Sequence, residues 1–338
     1  MRASRWLYRL LWLPAVGCAV PSADVRVPEV KLPSAFAGQA AVAGTQARDW
    51  RRYFADGPLI GLIGSAVQHN PDQLIALQRI DAASAALQGA KGALWPKVTL
   101  GAGASLRRFG DYTMDGAGNA VTDIRPGERV PEHLPDFSVG LQSSWEVDLW
   151  GKLRDQRDSA LAAYLASIEG KKLVTTRLVA EVAADYFELV AVDHRREVLA
   201  QTVARQEEAL EVVRLQKQVG KANELAVRQF EAQLASTRAL EVAAHERVQV
   251  LENQLNLLLG RLPQPLQRTP DAQLVEVGRG VSAGVPAQLL ENRPDIRQAE
   301  LLVEAARCDL KAARAAFFPR LDISAGAGYQ AFNPRFLF

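Results

Sequence analysis

The sharpest pattern in the chain is the alternation from Phe137 to Leu149. Phe137, Val139, Leu141, Trp145, Val147 and Leu149 share one face, and Ser138, Gly140, Gln142, Ser144, Glu146 and Asp148 share the other. A period of two with a polar face and an aromatic-rimmed apolar face suits a strand that separates lipid from water. A half-buried sheet on a soluble domain would carry the same pattern. Lys97 to Leu106 alternates less cleanly, with Val98, Leu100, Ala102, Ala104 and Leu106 on one side. A polar loop from Arg107 to Asp136 joins the two. Its Asp111, Asp115, Gly116 and Asn119 faintly resemble a calcium loop, but Thr113 and Thr122 occupy positions that need carboxylate or amide ligands. A solvated Gly-rich loop is expected.

Elsewhere the period is helical. Leu59, Leu62, Ile63, Ala66 and Val67, then Leu74, Leu77, Ile80 and Leu87, predict helix from Pro58 to Gly92, with Asn70-Pro71-Asp72 as an interruption and Pro96 as the stop. From Arg154 to Gln218 there is no proline and one glycine, Gly170. A helix of that length measures roughly 97 Å. Its apolar series runs through Leu161, Leu165, Ile168, Leu178, Val182, Tyr186, Leu189, Val203, Leu210 and Val213. Val219-Gly220-Lys221-Ala222-Asn223 breaks the pattern, with Gly220 suited to a C-terminal cap and Asn223 to the N-cap of a return helix, Glu224 to about Leu259. The pair is an antiparallel hairpin with a tight tip. Its apolar stripe needs further long helices, from this chain or from copies of it. The expected fold class is mainly α with a few β-strands.

Two segments of the chain repeat. Pro71 to Pro96 and Pro294 to Pro319 superimpose without a gap, matching at Asp72/Asp295, Ala76/Ala299, Ala82/Ala305, Ala83/Ala306, Leu87/Leu310, Ala90/Ala313 and Ala93/Ala316. Trp95-Pro96-Lys97-Val98 answers Phe318-Pro319-Arg320-Leu321, in each case a helix that stops at a proline and turns into a strand. By this logic residues 50–262 form one unit of helix, two strands and hairpin, and 263–338 a linker with the helix and first strand of a second. About 145 residues of that second unit are then missing. An incomplete protomer with an unpaired strand edge is not expected to form a stable conducting assembly by itself.

Composition narrows the function. The chain has 338 residues, 48% hydrophobic and 23% charged, with 40 basic against 38 acidic groups. A net charge of +2 disfavours nucleic acid as a partner. No apolar run approaches the ~18 residues of a membrane-spanning helix, which leaves a β-barrel open. Two cysteines, Cys18 and Cys308, do not make a disulfide framework. Cys308 reads as a small buried hydrophobe on a helix. His69, His133, His194 and His245 share no metal-ligand spacing, and no phosphate loop or nucleophile triad stands out. Neither enzyme activity nor a metal or other cofactor is expected. Glu146 and Asp148 are candidates either for lining a lumen that favours cations or for a structural role where strand meets helix.

The N-terminus reads as a secretory signal: Arg2, Arg5 and Arg9 precede Leu10-Leu11-Trp12-Leu13-Pro14-Ala15-Val16. Ala15-Val16-Gly17-Cys18 resembles a bacterial lipobox, which implies removal of residues 1–17 and a covalent lipid on Cys18. An ordinary signal peptide with an incidental cysteine is the other reading. Residues 18–49 then form an extended arm.

Leu289-Leu290-Glu291-Asn292-Arg293-Pro294-Asp295-Ile296-Arg297-Gln298-Ala299-Glu300 resembles the signature of TolC-like outer-membrane efflux factors, in their lipoprotein branch. Trp145 to Arg154 resembles that family's strand-to-helix joint, and Val219-Gly220 its hairpin tip. The resemblance implies long antiparallel helical hairpins beneath a transmembrane β-barrel shared by a homotrimer, anchored in outer-membrane lipid, with helices in the periplasm. It implies a passive conduit for substrates from an inner-membrane pump and a periplasmic adaptor. Residues Val219, Gly220, Lys221, Ala222 and Asn223 would form the adaptor-docking tip, and Ser138, Gln142, Ser144, Glu146 and Asp148 would line the lumen. Lys221 departs from the family, which usually has an apolar residue there. A soluble periplasmic coiled-coil module, or a fragment of a disrupted channel gene, are the alternatives.

Overall fold

A computed structural model describes Pro33 and residues 49–270 and 290–338. The signal segment, Cys18, nearly all of the arm, residues 271–289 of the linker, and Leu289 of the family signature lie outside the described residues. The helices are α1 (Trp50–Tyr53), α2 (Gly57–His69), α3 (Pro71–Gly92), α4 (Met114–Val121), α5 (Lys152–Gln218), α6 (Glu224–Leu258) and α7 (Pro294–Ala315). The strands are β1 (Lys97–Arg107), β2 (Asp123–Arg125), β3 (Glu128–Arg129), β4 (Leu134–Val147) and β5 (Leu321–Ala331). Among the described residues no helix is long and apolar enough to cross a membrane.

Two compact units divide the chain. The first holds Ala85–Ala162 and Glu304–Phe338. It contains the antiparallel sheet β1-β4-β5 and the small hairpin β2-β3. α3 and α7 are both 22 residues long, and each begins on a proline. Each leads through a turn and the matching proline, Pro96 or Pro319, into an 11-residue strand, β1 or β5. On α7, Ala305, Cys308, Ala312 and Ala315 are buried at helical spacing, so Cys308 is packed as a small apolar side chain. Burial, foremost, pushes its thiol pKa up.

Two boundaries differ from the sequence reading. β4 spans Leu134–Val147 instead of Phe137–Leu149. Its start extends because β1 reaches Arg107, which pairs with Leu134. It ends early because Asp148 turns to serve α5. The loop between β1 and β4 is also more ordered than expected. It holds α4, whose N-cap Thr113 accepts the Gly116 amide at 3.1 Å, and the β2-β3 hairpin. Asp115, Gly116 and Asn119 are therefore helical and do not form a calcium loop.

The second unit comprises the described residues of Glu29–Ser84 and Ala163–Val303. Its core gathers Leu59, Ile63 and Ala66 of α2, Leu178, Val182, Tyr186 and Leu189 of α5, and Val248, Leu251 and Leu255 of α6. All recur at three- or four-residue spacing, the single apolar stripe of an amphipathic helix. Asn70 is the expected interruption. Its carboxamide oxygen accepts the amides of Asp72 and Gln73, and its nitrogen donates to the Leu258 carbonyl at 2.9 Å. Buried Gln73 in turn bonds Thr175 at 3.0 Å.

Candidate functional site

The register of the three-stranded sheet sorts its side chains. β4 sets Gln142 opposite Thr99 and Gly326, Gly140 opposite Gly101 and Gly328, and Ser138 opposite Gly103 and Gln330. The alternate rows set Leu141 opposite Leu100 and Ala327, Val139 opposite Ala102 and Tyr329, and Trp145 opposite Ile323. One face is thus polar or glycine on all three strands, and the other is almost wholly apolar. A slip of one residue at either ladder would mix them. The apolar face is bare: Leu100 is 72% exposed and Tyr329 62%.

The polar face is neutral in its middle and charged at both ends. At one end Asp136 accepts from Gln330 at 2.7 Å and pairs with Arg107 at 3.0 Å. At the other, Glu146 and Asp322 stand directly opposite each other. Like charges so placed repel, and each carries its own cation: Lys152 on Glu146, and Arg320 on Asp322 at 2.6 Å. Ser138, Gln142 and Ser144 lie exposed on this face as expected. Glu146 lies on it but in an ion pair with the start of α5.

Asp148 lies beyond the strand and takes the second of its two expected roles, the structural one where strand meets helix, which corrects its place among the lumen-lining residues. Gly151, at φ +82°, turns the chain back. The Asp148 carboxylate then accepts the amides of Leu153 and Arg154 at 3.1 Å each, and the Arg154 guanidinium at 2.9 Å. These are unfilled donors of the first turn of α5. Burial works against the charge, but Arg154 and the two amides outweigh it and hold the carboxyl below its ordinary pKa. Two indoles fix the same joint. Trp145 donates to the Leu94 carbonyl at 3.1 Å, just before Pro96, and Trp150 donates to the Pro319 carbonyl at 2.9 Å. The repeat-related turns are thus each held by one tryptophan. The sequence reading missed these clamps; the signal was an aromatic or proline at each of the three junctions.

At the hairpin tip Gly220 has φ +72°, a backbone region in which a side chain is strained. The amides of Lys221 and Ala222 both donate to the Gln216 carbonyl, at 2.7 and 3.2 Å. The Asn223 side chain accepts the Ala226 amide at 2.9 Å, the expected N-cap. Behind the tip, Val203 and Leu210 of α5 pack with Val227 and Leu234 of α6. Ion pairs bridge the two helices at Arg214–Glu231, Glu207–Arg238 and Glu188–Arg247. Lys217 pairs with Glu224 beside the tip. Such exposed pairs add little stability singly but set which residues face each other.

The chain matches the family model described as outer membrane efflux protein over residues 62–261 and 285–334. It is 31% identical over 279 residues to the toluene efflux pump outer membrane protein TtgI of Pseudomonas putida, covering 82% of this chain and 57% of that protein. It is 28% identical over 323 residues to the cation efflux system protein CusC of Escherichia coli, covering 93% of this chain and 65% of that one. The chain therefore spans about three fifths of the length of these relatives. Among solved structures, the open state of the Neisseria gonorrhoeae MtrE outer membrane channel aligns with a TM-score of 0.74 at 25% identity, covering 93% of this chain and 67% of that one.

Proposed function

Because the chain belongs to the outer membrane efflux protein family, we propose that it supplies wall and tunnel segments of an outer-membrane channel in a tripartite efflux system. Substrates pass without covalent chemistry, delivered by an inner-membrane pump through a periplasmic adaptor. The sorting of faces by register carries this reading. An apolar sheet face with Leu100 and Tyr329 exposed costs free energy in water and none against lipid. The polar face then borders water. The outer edges of β1 and β5 are unpaired among the described residues, and lipid does not tolerate unpaired strand edges. Further strands must close the wall, which favours a barrel shared by copies of the chain, a homotrimer as in the family. The residues 219–223 tip is the adaptor-docking element on this reading, and Cys18 carries the lipid that anchors the chain.

The test is topological. With Cys308 replaced and Cys18 kept for the anchor, Gln142→Cys should react with a water-soluble maleimide in membranes. Leu100→Cys should react only with a lipid-soluble reagent. Equal labelling of both positions by the aqueous reagent would sink the channel reading. It would favour a soluble coiled-coil module. For the anchor, Cys18→Ser should abolish palmitate incorporation; unchanged incorporation would refute it.

A further inference from the structure

The hairpin tip is preformed. Its backbone donors are used internally, by Gln216 and Lys217, and Asn223 caps the return helix. Little ordering remains to be done on binding, which favours recognition by the side chains that project from it.

Those side chains are unevenly balanced. Residues 211–231 hold four cations, Arg214, Lys217, Lys221 and Arg228, against three carboxylates, Glu211, Glu224 and Glu231. All three carboxylates are engaged. Glu211 and Glu231 pair with Arg214, Glu224 with Lys217 and Arg228, and Glu231 also with Arg228. The Lys217 hydrogen bond holds Glu224, and the Arg214 hydrogen bond holds Glu231, below the ordinary glutamate pKa, so both remain committed to these partners at neutral pH. Among the described residues Lys221 has no ion pair. It projects from the turn itself, and around it Leu215, Val219 and Leu225 are exposed at 60%, 69% and 63%. An unpaired ammonium within an apolar rim is the complement of an apolar surface that bears one carboxylate. In such a contact the hydrophobic rim supplies affinity, and the charge supplies orientation and selects the partner.

Resting on the docking role proposed above for residues 219–223, we infer that the tip receives an apolar surface of a partner protein that carries an Asp or Glu side chain opposite Lys221. Lys221 is then the residue that selects among adaptors. A partner with a basic or purely apolar surface docks more weakly.

Selection from a displayed library of helical hairpins with a randomised turn tests this against the full chain in detergent. Enrichment of Asp and Glu in the turn is expected with the native chain, no charge bias with Lys221→Ala, and enrichment of Lys and Arg with Lys221→Glu. Individual acidic winners should lose about threefold in affinity for Lys221→Ala, the scale of an exposed ion pair, and lose that margin at high salt. Winners without charge bias that are nevertheless lost with Val219→Asp would overturn the role of Lys221 and leave docking intact. Winners insensitive to Val219→Asp bind away from the tip and would overturn the docking reading itself. Val219 is exposed, so that substitution removes no core packing.

Discussion

The indole of Trp150 donates to the carbonyl of Pro319 at 2.9 Å, and the same ring stacks on Phe318 at 4.9 Å between centroids. One side chain at the start of α5 thereby fixes the turn from α7 into β5. Trp150→Phe should keep the stacking and lose only the hydrogen bond, at a cost of about 0.5–1.5 kcal/mol. Trp150→Ala should lose both and destabilise more. Thermal unfolding of the two variants ranks them; a Trp150→Phe variant as stable as the native chain would show that the hydrogen bond contributes nothing, and equal losses in the two would show the same of the stacking.

Gly328 lies opposite Gly140, and a Cβ at Gly328 would sit 2.6 Å from the Val139 carbonyl oxygen and 2.7 Å from the Gly140 Cα. Both contacts are with backbone, which cannot move aside without opening the ladder. Gly328→Ala is expected to destabilise by about 1–3 kcal/mol, the cost of overpacking. Gly101, in the same row, has nothing within 4 Å of its Cβ position, so Gly101→Ala should be close to neutral. Denaturation midpoints of the two variants check the contrast.

Buried Tyr186 links three segments. Its hydroxyl donates to Asp56 at 3.1 Å and accepts the Thr269 amide at 3.0 Å. Burial, first, raises its pKa, and nearby Asp56 adds to this; the hydroxyl therefore stays protonated and able to donate. Tyr186→Phe should cost about 1–3 kcal/mol by leaving the Thr269 amide unsatisfied. The loss should register as a lower Tm and as faster hydrogen exchange at Thr269.

Asp148 predicts an acid limb. Its folded-state pKa lies below its ordinary value, so its contribution is fully present above the unfolded-state pKa and is lost as pH falls through the depressed folded value. Asp148→Asn keeps an oxygen that can accept the amides but loses the charge, and should destabilise by about 0.3–1 kcal/mol at neutral pH, the range for a carboxylate at a helix N-terminus. Its difference from the native chain should shrink toward strongly acidic pH. A difference that stays constant across that range would rule out the carboxylate charge as the source.

Much of this was legible in the residues. The absence of proline from 154 to 218 and the glycine at 220 gave α5 its extent, because helix propagation is blocked chiefly by those two residue types. The alternation around Leu141 and Gln142 gave β4, and the paired prolines Pro96 and Pro319 gave both helix-to-strand turns. Alternation left Asp148 with two roles, lumen lining or the joint of strand and helix, because it is a local signal. It continues past Val147 in the sequence, whereas the strand ends where the carboxylate finds the free amides of α5. The α4 helix was missed because its Gly-rich sequence is a poor helix former, and the Thr113 cap decides it.

The sequence by itself determined the elements, their polarity and their repetition, since periodicity and chain stops act between near neighbours. Only the tertiary structure decided which residues stand together: the apolar rows of β1, β4 and β5 on one face, the opposed carboxylates of Glu146 and Asp322, and the partners that engage every charge near the tip except Lys221. Register and ion pairing depend on groups far apart in the chain, and they are fixed by packing that no single segment contains.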